Sequence, residues 1–533
     1  MQAEWLFSGG SVYSPHTGWQ RAEAVALAGG KVIAFGRKDE VEQVAGPATR
    51  RVDLAGRTVI PGLVDAHQHI LGYAKSLDLL AVAGLPSLAA MAAAVARKAA
   101  GAAPGEWVVG RGWDQDRWVE HREPTRYDLD PATPGQPVFL QRNCNHVAVV
   151  NSVALRLAGI TRETPDPAGG KIDRDPASGE PTGMLRENAM DLVRRVIPKL
   201  PAARKRELLA QAMREALSYG ITQVQSDDVD TFAETEALFG PLARPEAIPL
   251  RVTEMIPGAQ AVTGAERGIR TGAGNEWFRY GHVKLFADGS LGARTAALLD
   301  PYSDKADTRG IYVHDADEFR ELVVTSHALG NQVGCHCIGD GAAQRFIDAV
   351  AEAQRRHPRP DTRHRIIHAQ ILSEPIMAQL AAQQMVGDIQ PVFIKSDGYW
   401  FQERVGPSRA RTSYAWKSML QHGIPLCGGS DCPIEPLNIW TGIYTAVNRQ
   451  DLNGYPEGGW SPAQRLSVSE ALALYTTGAA YATFEEHFKG TLAPGMAGDL
   501  LVLDRNPFTC DPAELKDVKV TMTIVGGHLA HEA

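Results

Sequence analysis

The sequence predicts an α/β protein. We expect a (β/α)8 barrel of the TIM type with a large insertion after its first strand, and a small β-sandwich built from both chain ends. Two observations support this. Across residues 59–485, apolar strands alternate with helical segments rich in Ala, Leu and Arg, which is typical of parallel βαβ units. Residues 1–58 and 486–533 instead have the pattern of short strands, with a hairpin signal at Gly29-Gly30.

Eight apolar segments have the spacing of barrel strands. They are Thr58–His69, Ile221–Ser226, Pro249–Met255, His282–Asp288, Gln332–Ile338, Arg365–Ala369, Met385–Gln390 and Ile424–Asp431. The gap between the first and second segments is too long for one crossover helix. Residues 71–200 are therefore predicted to form an insertion over the barrel mouth. Its Gly, Pro, Trp and Asp content suits a loop-rich lid.

Composition excludes several classes of protein. The 533 residues are 44% apolar and 22% charged, so disorder and fibrous architecture are not expected. A net charge of −8 argues against a nucleic-acid partner. Six cysteines are too few for a disulfide scaffold. The apolar helical stretch from Leu88 is too short to span a membrane, and the first residues do not resemble a secretory signal. We expect a cytoplasmic protein without a membrane partner.

Polar residues at the ends of the predicted strands indicate a metal site. His67 and His69 are two apart in a strand, so both side chains point to one side. Taken alone, this pair is as consistent with filling the barrel as with binding a metal. His336, His368 and Asp431 also end apolar strands, at the edge where barrel active sites assemble. Burying such groups without partners would cost several kcal/mol in total. A hydrogen-bonded polar cluster is the alternative, and the metal site is favoured over it.

Lys284 needs a separate explanation. A protonated lysine has no lone pair to donate, and a divalent cation would repel it. Reaction of the amine with CO₂ gives an anionic carbamate, whose two oxygens could bridge two metal ions. The alternative is an ordinary lysine that pairs with Asp288 or another carboxylate of the lid.

Longer motifs resemble a known family across essentially the whole chain. The motifs are PGLVDAHQH, VKLFADGSLGARTA, HCIGDGA, RIIHAQ, GGSDCPIEP, GRGWDQDRW, NHVAVVNSVAL, GKIDRDPASGEPTGML and APGMAGDLLVLD. The sequence resembles the YtcJ-like branch (amidohydrolase family 3) of the amidohydrolase superfamily, which includes enzymes that deformylate N-substituted formamides. The resemblance implies two divalent metal ions, zinc in type.

The resemblance also implies a role for each predicted ligand. His67 and His69 would bind the more buried ion, and His336 and His368 the second. Lys284, as N6-carboxylysine, would bridge the two ions. Asp431 would ligate a metal and transfer the proton.

Together these features predict a metal-dependent amidohydrolase that cleaves a non-peptide C–N bond (EC 3.5). The expected substrate is a small molecule, an N-substituted formamide or another N-acyl amine. A metal-activated hydroxide would attack the carbonyl, with Asp431 as general base and then acid. The alternatives are a cyclic amide or lactone hydrolase, a deaminase on the same scaffold, or a non-catalytic binding protein. A homodimer is common for such folds.

Candidate substrate contacts are Trp113, His146, Phe286, Arg294 and Phe393. Further aromatic residues that could line the substrate pocket are Trp118, Tyr399 and Trp400.

Overall fold

The computed structural model describes residues 1–103, 105–144, 146–229 and 231–533. The chain divides into two compact units. The first comprises Met1–Tyr73 and Leu209–Ala533, and the second comprises Ala74–Leu208, which covers most of the predicted insertion. In the described part of the chain, no helix is both long enough and apolar enough to cross a membrane.

The strands and α-helices are numbered in chain order. The strands β1–β22 are Ala3–Tyr13, Arg21–Ala28, Lys31–Gly36, Ala45–Asp53, Thr58–Pro61, Leu63–Gln68, Leu80–Ala81, Val108–Trp113, Val138–Arg142, Val147–Val150, Gly170–Arg174, Pro181–Glu187, Ile221–Ser226, Arg251–Pro257, Phe278–Phe286, Val333–Cys337, Arg365–His368, Val386–Ile389, Leu426–Gly428, Leu500–Leu503, Val520–Val525 and His528–Glu532. The helices α1–α18 are Lys38–Val41, Ile70–Leu77, Leu88–Ala100, Arg126–Leu129, Ser152–Leu157, Asp191–Arg194, Ala202–Ser218, Phe232–Phe239, Ala261–Glu266, Ala316–Ala328, Asp340–Arg356, Glu374–Ala382, Ile394–Asp397, Phe401–Ala410, Trp416–Gln421, Ile439–Asn448, Val468–Leu474 and Thr477–Ala482.

Both chain ends contribute to one eight-stranded sheet. Its order is β22-β21-β20-β5-β1-β2-β3, and β4 pairs with β1. Strand β5 joins the two ends, because it pairs with β1 on one side and with β20 on the other. The predicted hairpin is confirmed: β2 and β3 are antiparallel, with Gly29 and Gly30 at φ 55° and 73°. Such positive angles suit glycine in a two-residue turn. The two-layer sandwich stays a prediction.

The predicted barrel is confirmed as a nearly closed parallel sheet of eight strands, β6 and β13–β19. Its two edge strands, β6 and β19, meet after β19 ends. The backbone N–H of Asp431 donates to the carbonyl oxygen of His67 at 2.8 Å. A Cβ atom at Gly429 would lie 2.6 Å from the backbone N and O of His67. Only glycine permits so close an approach, so the GGSD sequence brings Asp431 beside His67.

Several predicted strand boundaries were wrong. The predicted eighth strand, Ile424–Asp431, is Leu426–Gly428, so Asp431 lies beyond it. The predicted first strand, Thr58–His69, is two strands, β5 in the terminal sheet and β6 in the barrel. It divides at Gly62, whose N–H donates to Asp499, while the next N–H, that of Leu63, donates to Gly220. The chain therefore changes hydrogen-bonding partners inside one apolar run. The predicted fourth strand, His282–Asp288, is Phe278–Phe286, so Asp288 lies beyond it.

The second unit has more regular structure than the predicted loop-rich lid. It contains a six-stranded sheet in the order β11-β12-β10-β9-β8-β7. One core of this unit joins Met91 and Val95 of α3 to Val138, Leu140 and other apolar strand residues. Val138 and Leu140 lie on the same face of β9, and the apolar face of α3 packs against it.

A buried ion pair joins the barrel to the terminal sheet. Arg251, at the start of β14, donates from Nε and Nη2 to the two carboxylate oxygens of Asp499, at 2.9 and 3.1 Å. The rings of Trp277 and Phe488 lie 4.4 and 4.9 Å from the guanidinium carbon. The N–H of Gly526 also donates to Asp499, at 2.7 Å. Arg251 is 1% exposed and Asp499 is 6% exposed. Because water does not stabilise either charge, each one needs the other as a partner.

We therefore expect Asp499→Asn to lower the free energy of unfolding by about 3 kcal/mol, the lower end of the range for breaking a buried pair, because the guanidinium keeps only its longer contact with Glu276, at 3.6 Å. Urea unfolding followed by circular dichroism measures the change. Asp39→Asn is the matched control, since the Arg37 and Asp39 side chains are 71% and 67% exposed and the loss of their pair should leave the stability almost unchanged. Equal unfolding midpoints for the two variants would contradict the stabilising role of the buried pair.

Candidate metal centre and active site

The six predicted ligand side chains line one cavity of about 280 Å³. His67 belongs to β6, Lys284 to β15, His336 to β16 and His368 to β17. His69 follows β6, and Asp431 follows β19. All six therefore come from the carboxyl ends of the barrel strands, as predicted.

Three of these side chains form a compact donor cluster. Asp431 Oδ1 lies 3.2 Å from Nε2 of His69 and 3.6 Å from Nε2 of His67. One donor atom from each residue can be chosen so that all lie within 4.8 Å of one another. The other two histidines are adjacent: the ring centroid of His368 lies 4.5 Å from that of His336 and 5.5 Å from that of His67.

Two of the candidate ligands have left-handed backbone conformations. Asp431 has φ 57° and His368 has φ 73°. Residues other than glycine rarely adopt such angles, and the strain persists only where the surrounding structure holds it. Both residues lie where a strand ends, and the sharp change of direction places their side chains on the cavity.

The surroundings of the histidines favour neutral imidazole at three positions. Burial and the nearby Lys284 ammonium hold the pKa of His67 well below its usual range. Burial, the neighbouring His336 and Lys284 do the same for His368. Burial, again with Lys284, lowers the pKa of His336 to about 4. A neutral imidazole keeps the lone pair that a metal ion needs.

His69 behaves differently. Burial opposes a charge on this ring, but its hydrogen bond with Asp431 and the nearby carboxylates of Asp228 and Asp227 outweigh burial and raise its pKa to about 9. The carboxylates thus favour positive charge at this end of the cavity. A bound cation would benefit from the same field.

Further contacts orient two of the rings. Nδ1 of His69 bonds to the backbone oxygen of Asp227, and Nδ1 of His368 bonds to Oε1 of Gln390 at 2.7 Å. The Gln390 amide donates to Oδ1 of Asp388 at 3.2 Å, and Oδ2 of Asp388 accepts from Arg365 at 2.6 Å. Metal-binding histidines usually donate their second ring N–H to such fixed acceptors. Nε2 of His368 remains available, and Nε2 of His69, which faces Asp431 at 3.2 Å, becomes a donor when a cation replaces its proton, so the donor set fits a divalent metal.

The structure shows which carboxylate pairs with Lys284. Its Nζ lies 3.2 Å from Oδ2 of Asp227 and 3.4 Å from Nε2 of His67. Asp288, the partner named in the alternative, instead accepts the backbone N–H groups of Ala297, Ile338 and Gly339. The ion pair with Asp227 is the contact that carboxylation of the lysine would replace.

Sequence reasoning missed two carboxylates of this site. Asp227 follows β13, so the rule that selected the other ligands could have found it. Asp65 lies inside β6 and gave no signal. Its carboxylate accepts from Oγ and N of Ser430, at 2.5 and 2.9 Å, and so holds the ends of β6 and β19 together. Burial raises the pKa of Asp65 to about 7.

The predicted substrate contacts divide into two groups. Phe286 and Phe393 line the cavity, together with Ile434, which was not predicted. Arg294 is not among the described residues that line it, and its guanidinium binds Asp304 at 2.6 Å.

The other two predicted contacts, Trp113 and His146, lie in the second unit. Trp113 is fully buried in that unit's core, as is Trp118, and its Nε1 donates to Leu140 at 2.9 Å. The structure therefore gives Trp113 a packing role instead of the predicted substrate contact. His146 is exposed and pairs with Glu187 at 2.9 Å.

Comparison with known proteins agrees with this architecture. The amidohydrolase family model matches residues 50–531. The chain belongs to the amidohydrolase family. YtcJ of Bacillus subtilis (strain 168) is 33% identical, with all of both chains covered. N-substituted formamide deformylase of Arthrobacter pascens is 30% identical over 96% of this chain and 95% of that protein.

A solved structure is also similar. A crystal structure described as an uncharacterized metal-dependent hydrolase from Pyrococcus furiosus has 31% identity and a TM-score of 0.79, and the match covers 95% of this chain and 100% of that one. This chain is thus an amidohydrolase of the YtcJ-like branch.

Proposed function

We propose that this amidohydrolase cleaves the C–N bond of an N-substituted formamide or another N-acyl amine, using two divalent metal ions, zinc in the native enzyme. The observation behind this proposal is the meeting of the six predicted ligand side chains on one cavity of about 280 Å³. The similarity to a protein named N-substituted formamide deformylase supports the choice of substrate.

In this proposal the ligands divide between two positions. His67 and His69 would hold one ion and His336 and His368 the other, with a carboxylated Lys284 and Asp431 as the further ligands. Charge supports the modification. An ammonium at Lys284 would repel both ions, whereas a carbamate supplies a negative charge and two oxygen donors. Lys284 is 4% exposed, so bulk water would screen that repulsion little.

Asp431 has the central role in the proposed mechanism. When bound, divalent ions would lower the pKa of a water molecule to about 7 and polarise a carbonyl oxygen. The Asp431 carboxylate accepts the proton of the attacking water and then transfers it to the leaving nitrogen. The second step is needed because an amine leaves poorly until it is protonated. Phe286 and Phe393 give the cavity apolar walls, which limit the access of competing water.

A metal-dependent activity screen tests this function. The purified protein is stripped with a chelator, reloaded with zinc and assayed on N-formyl amines, longer N-acyl amines, cyclic imides, lactones and amino-substituted heterocycles. We expect amine release from the formamides, lost on chelation and restored by zinc. Zinc-dependent turnover restricted to lactones, cyclic imides or deamination substrates would replace the proposed reaction with one of the alternatives. Absence of both metal binding and turnover would indicate a non-catalytic binding protein.

A further inference from the structure

A single peptide group lies between His69 and a buried acid on strand β14. The carbonyl oxygen of Asp227 accepts a hydrogen bond from Nδ1 of His69, and the N–H of Asp228 donates to Oε1 of Glu254 at 3.1 Å. This C=O and this N–H belong to one planar peptide group, and its two polar ends point in opposite directions. His69 and Glu254 therefore hold the same peptide group from opposite ends.

The chain on either side of this peptide group is tied to the segment that contains the histidine. The N–H of Asp227 donates to the carbonyl oxygen of Gln68 at 3.0 Å. The carboxylate of Asp228 accepts the N–H groups of Leu71 and Gly72, at 2.7 and 2.8 Å, in the first turn of α2. These contacts fix the two aspartates, but they do not engage the N–H of the peptide group between them, which has its acceptor in Glu254.

An acid at position 254 is costly for the fold. The Glu254 side chain is 0% exposed, and its Oε2 has no hydrogen-bond partner among the described residues. Burial and the carboxylates of Asp228 and Asp227 hold the pKa of Glu254 well above its usual range, and the N–H groups of Asp228 and Val229 oppose this rise only in part. An apolar side chain would serve packing better. The contact with the backbone after β13 is therefore the reason for an acid at this place.

We infer that Glu254 is a positioning residue for the metal centre, which acts through the peptide group of Asp227 and Asp228 to direct Nε2 of His69 towards the metal position. This inference rests on the metal centre proposed above. A carbonyl oxygen can only accept, so the contact with Asp227 keeps a proton on Nδ1 of His69 and leaves Nε2 for a metal ion. An acceptor on the N–H also polarises the peptide group, which makes its carbonyl oxygen a stronger acceptor for the ring.

Three substitutions at Glu254 separate this hydrogen bond from packing. Glu254→Met has a similar size but no comparable acceptor, and Glu254→Asp keeps the carboxylate but is one methylene too short to reach Asp228. Glu254→Gln keeps an oxygen in the place of Oε1, so it should restore the contact. Thr253→Val is the matched control, because Thr253 is the neighbouring residue, is 1% exposed and accepts a hydrogen bond from Gln223 at 2.7 Å, away from the peptide group.

Each protein is stripped with a chelator and titrated with zinc against a chromophoric chelator, and a second sample is loaded with Co²⁺ for visible absorption spectroscopy. We expect Glu254→Met and Glu254→Asp to bind zinc about tenfold more weakly than the wild type, the lower end of the range for losing a contact behind a metal-binding histidine. Their Co²⁺ absorption bands should shift, because these bands report the geometry of the ligands. Glu254→Gln should stay within about twofold of the wild-type affinity, because it keeps the acceptor. It should also keep the wild-type spectrum, as should Thr253→Val.

These measurements need no substrate, so they separate this inference from the proposed reaction. Weaker zinc binding in Glu254→Met and Glu254→Asp, with rescue by Glu254→Gln, would support the positioning role even if no amide were hydrolysed. Wild-type affinity in Glu254→Met or Glu254→Asp, or an equal loss in Glu254→Gln or Thr253→Val, would overturn it. A wild-type protein that binds no zinc would overturn the metal centre and this inference together. If near-UV circular dichroism shows that Glu254→Met does not fold, the comparison of Glu254→Asp with Glu254→Gln decides.

Discussion

Asp431→Asn is expected to lower kcat by about 10²–10⁴-fold while the fold persists, which is the range for losing a general acid–base group. Asparagine has nearly the shape of aspartate, and the backbone N–H of residue 431 can still donate to His67. The amide cannot accept the proton of the attacking water. It also removes the negative charge that lies 3.2 Å from Nε2 of His69.

The comparison needs kcat, metal content and near-UV circular dichroism for each protein. Asp348→Asn is the control, because Asp348 is exposed and accepts a hydrogen bond only from Gln344 among the interactions described. A variant at Asp431 that keeps its metal but not its turnover supports a role in proton transfer. One that loses metal and turnover together acts mainly as a ligand. Turnover near that of the wild type would remove Asp431 from the mechanism.

The barrel could be predicted from the sequence because each strand can be recognised from its own residues and from the helical segments on either side of it. Strand β13 was predicted with its observed bounds, Ile221–Ser226, as a short segment between helical stretches, although only Ile221 and Val224 of its six residues are apolar. The division of Thr58–His69 into β5 and β6 could not be seen in this way. Both halves are buried, and only the change of partner from Asp499 to Gly220 separates them. An apolar pattern reports burial but does not identify the neighbouring strand.

The candidate metal ligands could be predicted for a related reason. A histidine or aspartate at the end of an apolar strand is conspicuous, and the barrel brings all such ends to one face. The supporting contacts were harder to predict. Asp65 and Ser430 are 365 residues apart, and their hydrogen bond depends on how β6 and β19 meet. Trp113 was conspicuous in the sequence but was given the wrong role. An aromatic side chain can pack in a core or line a pocket, and the sequence alone does not distinguish the two.

A chain of buried contacts behind the ligands holds the His368 ring in place. Arg365 and Asp388 form a fully buried ion pair at 2.6 Å, and Asp388 in turn orients Gln390. Gln390 accepts from Nδ1 of His368, which directs the remaining ring nitrogen away from this chain of contacts. Rigid side chains behind the ligands set the geometry of a metal site as much as the ligands themselves do.

Lys284→Ala is the second change with a large expected effect. We expect bound zinc to fall from about two ions per chain to about one, and kcat to fall about a thousandfold, because the loss of one ion removes several kcal/mol of transition-state stabilisation. The variant lacks the amine that would form the carbamate. A small carboxylate such as acetate or propionate fits the vacated space and offers the same two oxygens, so we expect it to restore part of the activity.

Zinc analysis and turnover with and without acetate measure these effects, and ¹³C NMR of the wild type supplied with ¹³C-bicarbonate reports the carbamate directly. Lys417→Ala is the control, since Lys417 pairs with Glu470 away from the cavity and its side chain is 33% exposed. If Lys284→Ala retained two zinc ions and full turnover, the lysine would serve only its ion pair with Asp227. Asp227→Asn, which breaks the same ion pair, would then also keep its zinc and its turnover. If the lysine is instead a carboxylated bridge, only Lys284→Ala should respond to acetate, because only that variant lacks the bridging oxygens.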